Sequence, residues 1–292
     1  MRQFPALYRQ YARYCRNMLN RDNNIIRGGS ALFKVVRQVQ QSCGLSTSAG
    51  IRCGNKVIYL DLTDTRMLWV LPEVMEESAE HRILRALLKP GDTFVDIGAN
   101  HGSFSVLASE LVGERGMVIA FEPQPRLAKL LSQSLQATAK SRFKVHQAGC
   151  SDHVGETKFY IPWAGSGSAG VFESFSGRNP HCELKVELTT IDETFSQEDV
   201  TGSLVMKLDV EGSEYAALMG ARNTIQRFKP PILFELNPDS SRAAGHTPKD
   251  LLCLFDELGY DSFCEMEQFP KRRKLDGLSL TTQRNLLALH KN

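Results

Sequence analysis

From about residue 80 onward, short apolar runs alternate with stretches in which apolar residues recur every three or four positions. The short runs predict buried strands, and the longer stretches predict amphipathic helices. The predicted strands cover residues 93–97, 117–121, 143–147, 203–208 and 231–236, and the predicted helices cover residues 79–88, 103–112, 125–136, 213–226 and 248–258. This alternation indicates an α/β fold, a doubly wound and mostly parallel sheet with helices on both faces. Ligands of such sheets bind beyond the carboxyl ends of the strands.

The residues before this domain follow a different pattern. Residues 4–19 and 32–39 place apolar side chains at helical spacing, and the arginines of the first segment fall mostly on its other faces. Gly54-Asn55 stands between two apolar runs and predicts a β-hairpin. We therefore divide the chain into a basic helical extension (1–50), a β-hairpin and lead-in segment (51–79) and the α/β domain (80–292).

Charge is distributed unevenly along the chain. The net charge of the whole chain is +2. The first 40 residues contain eight Lys or Arg and a single acid, Asp22, and so carry about +7, while the remainder carries about −5. A net charge this small does not indicate a nucleic-acid binder. Three interpretations of the basic residues 1–20 stay open: packing on the main domain or in a homo-oligomer, contact with a membrane surface or anionic acceptor, and an organelle transit peptide.

Composition and cysteine usage narrow the class of protein. With 42% hydrophobic and 23% charged residues, the chain has the composition of an ordinary globular protein. Its seven cysteines show no CxxC pair and no zinc-like spacing, which indicates reduced thiols. No apolar run approaches the ~20 residues of a membrane helix, and arginines occupy the place of a secretory apolar stretch. We expect a cytoplasmic protein.

Polar residues stand where the first two predicted strands end. The first strand carries Asp96 and leads through Gly98, Asn100 and Gly102 into a helix, where backbone amides are free to bind a ligand. The second strand is followed by Glu122, a carboxylate able to accept both ribose hydroxyls of an adenosine cofactor. NAD sites also use a carboxylate to accept from the ribose hydroxyls, so Glu122 does not distinguish the two cofactors. Asn100 occupies the place of the middle glycine in the G-x-G-x-x-G motif of NAD sites, and Asp96 begins the D-x-G-x-x-x-G arrangement familiar from S-adenosylmethionine (SAM) sites. This pattern favours SAM as the cofactor.

The next two strand ends add further candidates. Ser151 and Asp152 follow the third strand, where Asp152 either accepts from an adenine amine or forms a turn. The fourth strand leads into the most distinctive string of the chain, Lys-Leu-Asp-Val-Glu-Gly-Ser-Glu at residues 207–214. That string places Asp209 and Glu211 at the end of a buried strand.

Together these motifs resemble the FkbM family of SAM-dependent methyltransferases, over about residue 80 to the C-terminus. The matching segments are Asp96-Ile-Gly-Ala-Asn100 with Gly102, Phe121-Glu122-Pro123, Ser151-Asp152, Thr190-Ile191-Asp192, the string at residues 207–214, and Phe234-Glu235. The resemblance implies a class I, Rossmann-like sheet of seven strands in the order 3-2-1-4-5-7-6 with the last strand antiparallel. It also implies O-methylation of a hydroxyl on a sugar, a lipid-linked saccharide or a natural product.

The resemblance further implies cofactor contacts for eight residues. Asp96, Gly98, Asn100 and Gly102 would line the methionine end of SAM, and Asp209 would stand beside the methyl group. Glu122 would hold the ribose, and Ser151 and Asp152 would hold the adenine.

An acceptor hydroxyl must lose its proton when it is methylated, which requires a base within hydrogen-bond reach. Asp209, Glu211 and Glu235 are the candidates, and His181 and His246 are minor ones. Two rival functions stay open at this point: an NAD-linked Rossmann enzyme and a non-catalytic SAM-fold binding module.

A metal is an alternative use of the same acids. Glu235 and Asn237 project to the same side of their strand and, with Asp209, offer three oxygen ligands to a divalent cation such as Mg²⁺. Lys207 could instead neutralise these acids in an ion pair.

Recognition of the acceptor is expected in two poorly periodic stretches, residues 163–181 and 239–246. Trp163 offers a stacking face for a sugar or another ring; the alternative is an ordinary surface hairpin loop with Trp163 in the core.

Overall fold

The computed structural model describes residues 48–61, 64, 66–75, 78–162, 165–173, 180–198, 200, 202–274 and 280–291. The predicted helices over residues 4–19 and 32–39, the basic residues 1–20 and Trp163 lie outside these residues. Among the described helices, none is both long enough and apolar enough to cross a bilayer. The cysteines of the described part, Cys53, Cys150, Cys182, Cys253 and Cys264, are free thiols.

Twelve strands and nine helices make up the described part of the chain. The strands are β1 (Ser48–Cys53), β2 (Lys56–Asp61), β3 (Thr93–Ile97), β4 (Met117–Phe121), β5 (Arg142–His146), β6 (Gly149–Cys150), β7 (Gly155–Pro162), β8 (Pro180–Thr189), β9 (Leu204–Leu208), β10 (Ile232–Leu236), β11 (Tyr260–Glu265) and β12 (Arg284–His290). The helices are α1 (Met67–Met75), α2 (Ala79–Leu87), α3 (Ser103–Val112), α4 (Pro125–Thr138), α5 (Ile191–Ser196), α6 (Glu214–Met219), α7 (Arg222–Phe228), α8 (Pro238–Ala243) and α9 (Pro248–Glu257).

The central sheet has seven strands in the order β11-β12-β10-β9-β3-β4-β5. Numbered along the chain within this sheet, the order is 3-2-1-4-5-7-6, and β12 runs antiparallel to both of its neighbours. The predicted α/β class and strand order are therefore confirmed. Every residue of β3, β4 and β9 is buried, because helices cover both faces of the sheet.

A second, three-stranded sheet in the order β6-β8-β7 stands beside the central one. β7 and β8 form a long antiparallel hairpin that contributes Phe159 and Val186 to a small apolar cluster of its own. The interpretation of residues 163–181 as one irregular stretch was wrong at its end, because β8 begins at residue 180.

Two further sequence predictions differ from the structure. The helix expected over residues 213–226 is two helices, α6 and α7, because the carboxylate of Asp192 accepts from the amides of Asn223 and Thr224 at the start of α7, and the amide of Asp192 donates to the carbonyl of Gly220 at the end of α6. The stretch 239–246, expected to be irregular, begins as helix α8, which Asn237 caps by accepting from the amides of Asp239 and Ser240.

The predicted hairpin is present as β1 and β2, joined at Gly54-Asn55. Its edge is covered by α4, since the amides of Val57 and Tyr59 each donate to a hydroxyl of that helix, Thr138 and Ser134, at 2.8 Å. Helix α1 then runs on beside α3. The lead-in segment thus packs against the α/β domain next to the carboxyl ends of its strands.

Candidate active site

The parallel register brings the ends of three strands to one level. Ile97, the last residue of β3, pairs with the last residues of both β4 and β9. Gly98, Glu122 and Asp209, which directly follow these strands, therefore emerge side by side. A cavity opens at this edge, and its lining includes Gly98, Ala99, Asn100, Glu122, Ala148, Gly149, Cys150, Phe159, Ser166, Lys207, Asp209 and Glu211.

The turn after β3 requires left-handed backbone at three positions, Gly98 (φ 78°), Asn100 (φ 53°) and Gly102 (φ 84°). A β-carbon on Gly98 would overlap the backbone carbonyl of Asp209, so only glycine lets this turn pass the end of β9. The turn thereby presents its backbone to the cavity.

Glu122 is almost fully buried at the end of β4, with 3% of its surface exposed. One carboxylate oxygen accepts from the amide of Asn100 and the other from the amide of Gln124, both at 2.9 Å. Burial raises the pKa of Glu122 to about 7, although both amides favour the ionised form. Each oxygen retains capacity for a second hydrogen bond. The two oxygens therefore fit two neighbouring hydroxyls, such as those of a ribose.

Three carboxyl groups meet at the other side of the cavity, with oxygens of Asp209, Glu211 and Glu235 within 4.8 Å of one another. Lys207 donates to Asp209 at 2.9 Å, and its ammonium lies 5.0 Å from the centre of the Phe104 ring. We call Asp209, Glu211 and Glu235 the carboxylate cluster.

The three acids of the carboxylate cluster differ in pKa. Burial opposes ionisation of Asp209, but Lys207 and then Arg66 outweigh it, and its pKa lies below the ordinary value. Burial and the charges of Asp209 and Glu235 raise the pKa of Glu211 to about 10. Burial and Asp209 raise that of Glu235 to about 7. At neutral pH the cluster therefore holds one anion, one protonated acid and one group near its midpoint.

The lead-in segment supplies a charged side chain that the sequence did not point to. Arg66 lines the cavity and pairs with Glu73 at 2.6 Å, and Glu73 also accepts from the hydroxyl of Ser103 at 2.6 Å. Asp64 accepts from the backbone amide of Ser166 at 3.1 Å, which ties this segment to the second sheet's loop. These contacts close one side of the cavity mouth.

Comparison with known proteins agrees with this geometry. A family model described as the methyltransferase FkbM domain matches residues 96–262, more than half of the chain. The chain belongs to the FkbM methyltransferase family. The family predicted from the strand-end motifs is confirmed, and with it a methyltransferase of the SAM-dependent type.

Individual relatives are more distant. The hexuronic acid methyltransferase AglP of Haloferax volcanii is 25% identical over 191 residues, which cover 65% of this chain and 72% of that protein. The ribosomal RNA large subunit methyltransferase E of Acinetobacter baumannii is 54% identical over 39 residues, 13% of this chain and 18% of the relative. A crystal structure of methyltransferase FkbM from Methylobacillus flagellatus covers 77% of this chain and 55% of that chain, at 18% identity and a TM-score of 0.42.

Four of the eight residues predicted to contact the cofactor line the cavity of this FkbM methyltransferase: Gly98, Asn100, Glu122 and Asp209. The other four lie outside that lining. A β-carbon on Gly102 would overlap the side chain of Leu131, so this glycine serves the packing of α3 on α4. Asp96 is buried below the turn, where one of its oxygens accepts from Ser105 at 2.6 Å and the other has no hydrogen-bond partner.

The predicted adenine contacts Ser151 and Asp152 also lie outside the lining of the cavity. Asp152 is exposed and accepts from Ser151 at 3.2 Å and from His153 at 2.7 Å. The backbone of Ala148, Gly149 and Cys150 lies at the cavity instead.

The predicted metal site of Asp209, Glu235 and Asn237 stays a prediction. Asn237 caps helix α8 with its side-chain oxygen and also hydrogen-bonds through its side chain to Glu235, and Glu211 joins Asp209 and Glu235 as a third carboxyl group. Of the minor base candidates, His246 packs on Tyr215 with ring centres 5.3 Å apart and does not line the cavity. The side chain of His181 lies outside the described residues.

Two side chains that sequence reasoning left without a role hold the site in shape. Glu214, buried, accepts from the amides of Val210 at 3.1 Å and Gly212 at 2.9 Å, which fixes the turn that carries Glu211. The buried ring of His101 lies 2.6 Å from the side-chain oxygen of Asn100 and accepts from the backbone amide of Asp61 at 3.4 Å.

Replacing Glu122 tests the ribose assignment. We expect Glu122→Ala to weaken SAM binding by roughly 10- to 100-fold, since each buried group left unpaired costs about 1–3 kcal/mol. Calorimetric titration with S-adenosylhomocysteine measures this loss, and Glu156→Ala, an exposed Glu on β7, serves as the control. Wild-type affinity in a folded Glu122→Ala protein would remove Glu122 from the cofactor site.

Proposed function

We propose that this protein transfers the methyl group of SAM to a hydroxyl group of a sugar. The observation that carries the proposal is the carboxylate cluster, which provides a proton acceptor at the mouth of the cavity. The relative AglP, whose name describes a hexuronic acid methyltransferase, supports a sugar as the acceptor class.

The cavity residues would hold SAM, which supplies a methyl group on a positively charged sulfur. Glu122 would accept from the ribose hydroxyls, and the backbone of Gly98 and Asn100 would contact the amino acid part. Methyl transfer is an in-line displacement, so the protein accelerates it mainly by holding the acceptor oxygen in line with the methyl group.

The three acids of the carboxylate cluster have different roles toward the acceptor. Asp209 stays ionised beside Lys207 and accepts a hydrogen bond from a second hydroxyl of the sugar, next to the reacting one, which orients the ring. Glu235 takes the proton of the reacting hydroxyl while the oxygen attacks the methyl carbon and S-adenosylhomocysteine leaves, because a base with a pKa near 7 is half ionised at neutral pH. Glu211 keeps its own proton and donates a hydrogen bond.

This role for Glu235 predicts a pH dependence. Below pH about 7 the carboxyl is protonated and accepts no proton, so kcat/KM should rise about tenfold per pH unit and level off above 7. Glu235→Gln should lower the rate and remove the rise, and the exposed Glu267→Gln should retain it. Initial rates across pH 5.5 to 9 measure both profiles, and a wild-type rate that falls through this range would exclude Glu235 as the base.

A divalent cation is the second candidate for the same residues. Three carboxylates suit a hard cation, and Asp209, Glu211 and Glu235 would hold it and polarise the acceptor oxygen. Lys207 and Arg66 already compensate part of this charge, which favours the proton-transfer role. We expect activity to survive EDTA and to gain nothing from Mg²⁺. Loss with EDTA and recovery with Mg²⁺ would assign the cluster to a metal.

Transfer from isotopically labelled SAM tests the proposed function. The protein is incubated with [methyl-¹³C]SAM and methyl glycosides of several hexoses and of their 2-amino counterparts, and the product is analysed by ¹³C NMR. We expect release of S-adenosylhomocysteine and a methyl carbon bonded to oxygen. A methyl carbon on nitrogen would exclude O-methylation, and binding of SAM without turnover on any acceptor would favour the non-catalytic module.

A further inference from the structure

A groove of about 370 Å³ continues outward from the cofactor cavity, a volume typical of small-ligand sites. The two spaces share Arg66, Gly167, Asp209 and Glu211, so a molecule in the groove lies directly beside the place where the methyl group is presented. The remaining lining residues of the groove are Trp69, Glu73, Ser168, Glu235 and Gln283.

Trp69 is the aromatic wall of this groove. It lies on helix α1 with 41% of its surface exposed, and it is one of two tryptophans in the chain. Val154 is the other exposed large apolar side chain among the described residues, and the rest are buried or half-buried. A wide exposed aromatic face beside hydrogen-bonding groups suits a sugar, whose ring has apolar C–H faces and a polar edge.

The polar side of the groove carries an excess of acid. Among the described residues, Glu73, Asp209, Glu211 and Glu235 line it together with Arg66, which pairs with Glu73, while Lys207 donates to Asp209 from beside the groove. The four carboxyl groups outnumber these two cations, so the groove disfavours further negative charge. Hydroxyl groups donate to such carboxylates, whereas an acceptor carboxylate would add to the repulsion.

We propose that this groove binds the acceptor as a sugar ring without an anionic substituent, stacked on Trp69 with its hydroxyl edge toward the carboxylate cluster. The proposal rests on the proposed sugar O-methylation and makes its acceptor different from the hexuronic acid named for AglP. Trp69 and Arg66 precede the residues matched by the family model, 96–262, so the lead-in segment sets the acceptor specificity.

Paired acceptors test the charge of the ring. Methyl glycosides of glucose, galactose and mannose are compared with the methyl glycosides of their uronic acids, which differ only in a carboxylate at C6. We expect kcat/KM for at least one neutral glycoside to exceed that of its uronate about tenfold or more. Equal rates or a preference for the uronate would overturn the proposal.

Variants of Trp69 test the stacking. Trp69→Ala should raise the KM for the neutral glycoside about tenfold with little change in kcat, and Trp69→Phe should recover most of the affinity. The affinity for S-adenosylhomocysteine and the melting temperature should stay near the wild-type values in Trp69→Phe. An unchanged KM in Trp69→Ala would remove Trp69 from the acceptor site.

Fluorescence gives a readout that does not depend on turnover. With S-adenosylhomocysteine present, we expect the neutral glycoside to change the emission of the wild-type protein, and we expect Trp69→Phe to lose that change. A change that persists in Trp69→Phe, or failure of every tested sugar to bind, would overturn the sugar subsite. Failure to bind S-adenosylhomocysteine would instead contradict the proposed function itself.

Discussion

Gly98→Ala is expected to weaken binding of S-adenosylhomocysteine by at least about 100-fold. The methyl group would overlap the backbone carbonyl of Asp209, and neither backbone has a flexible end that can move aside. The positive φ of 78° adds about 1–2 kcal/mol of strain, and overpacking typically adds about 1–3 kcal/mol. Calorimetric titration measures the affinity, and circular dichroism reports whether the protein is folded.

Gly113→Ala is the matched control, because Gly113 also has a positive φ, 64°, but nothing lies within 4 Å of the added carbon. We expect it to lower the melting temperature slightly and to leave the cofactor affinity intact. A Gly98→Ala protein with wild-type affinity would mean that the turn after β3 does not shape the cofactor site.

Asp209→Asn is expected to lower kcat by roughly 100-fold, the loss attributed to a small misplacement of reacting groups, while cofactor affinity changes far less. The substitution keeps the shape of the side chain and removes the charge that would orient the acceptor and that compensates buried Lys207. Steady-state kinetics and calorimetry separate the two effects. Equal loss of turnover and cofactor affinity would make Asp209 a cofactor ligand.

Two further variants distinguish catalysis from stability. Asp239→Asn changes an exposed aspartate that pairs with Arg242, and it should leave kcat unchanged. Breaking a buried ion pair destabilises a protein, so Asp209→Asn should also lower the melting temperature. Combining it with Lys207→Gln should recover part of that temperature without recovering kcat. Recovery of both would show that Asp209 acts through stability alone.

The central strands could be predicted from the sequence because they are buried on both faces and therefore read as continuous apolar runs. β3 and β4 have the predicted bounds, and β9 and β10 differ from them by one residue. The break between α6 and α7 could not be predicted, since the start of α7 depends on the side chain of Asp192, 31 positions before Asn223. Strands β7 and β8 were not predicted, because the Gly/Ser-rich segment between them shows no alternation of apolar and polar residues.

The candidate site was predicted where it depends on strand ends and missed where it depends on other segments. Gly98, Glu122 and Asp209 directly follow parallel strands, and the topology alone places such residues together. Arg66 and Trp69 come from the lead-in segment, whose position follows from the packing of the hairpin on α4. Strand alternation predicted Asn237 beside Glu235, but it could not predict that the strand ends at Leu236 and that the side-chain oxygen of Asn237 caps helix α8.

Calorimetric titration of the full chain with SAM, S-adenosylhomocysteine and NAD tests the assignment of the central cavity most directly. Gly98 and Glu122 line this cavity and would contact the adenosine cofactor in the proposed function, and the carboxylate cluster stands where SAM would present its methyl group. We expect saturable binding of SAM and S-adenosylhomocysteine at one site per chain, and no binding of NAD. Saturable binding of NAD, or no binding of SAM by the folded protein, would contradict a SAM-dependent methyltransferase site in this cavity.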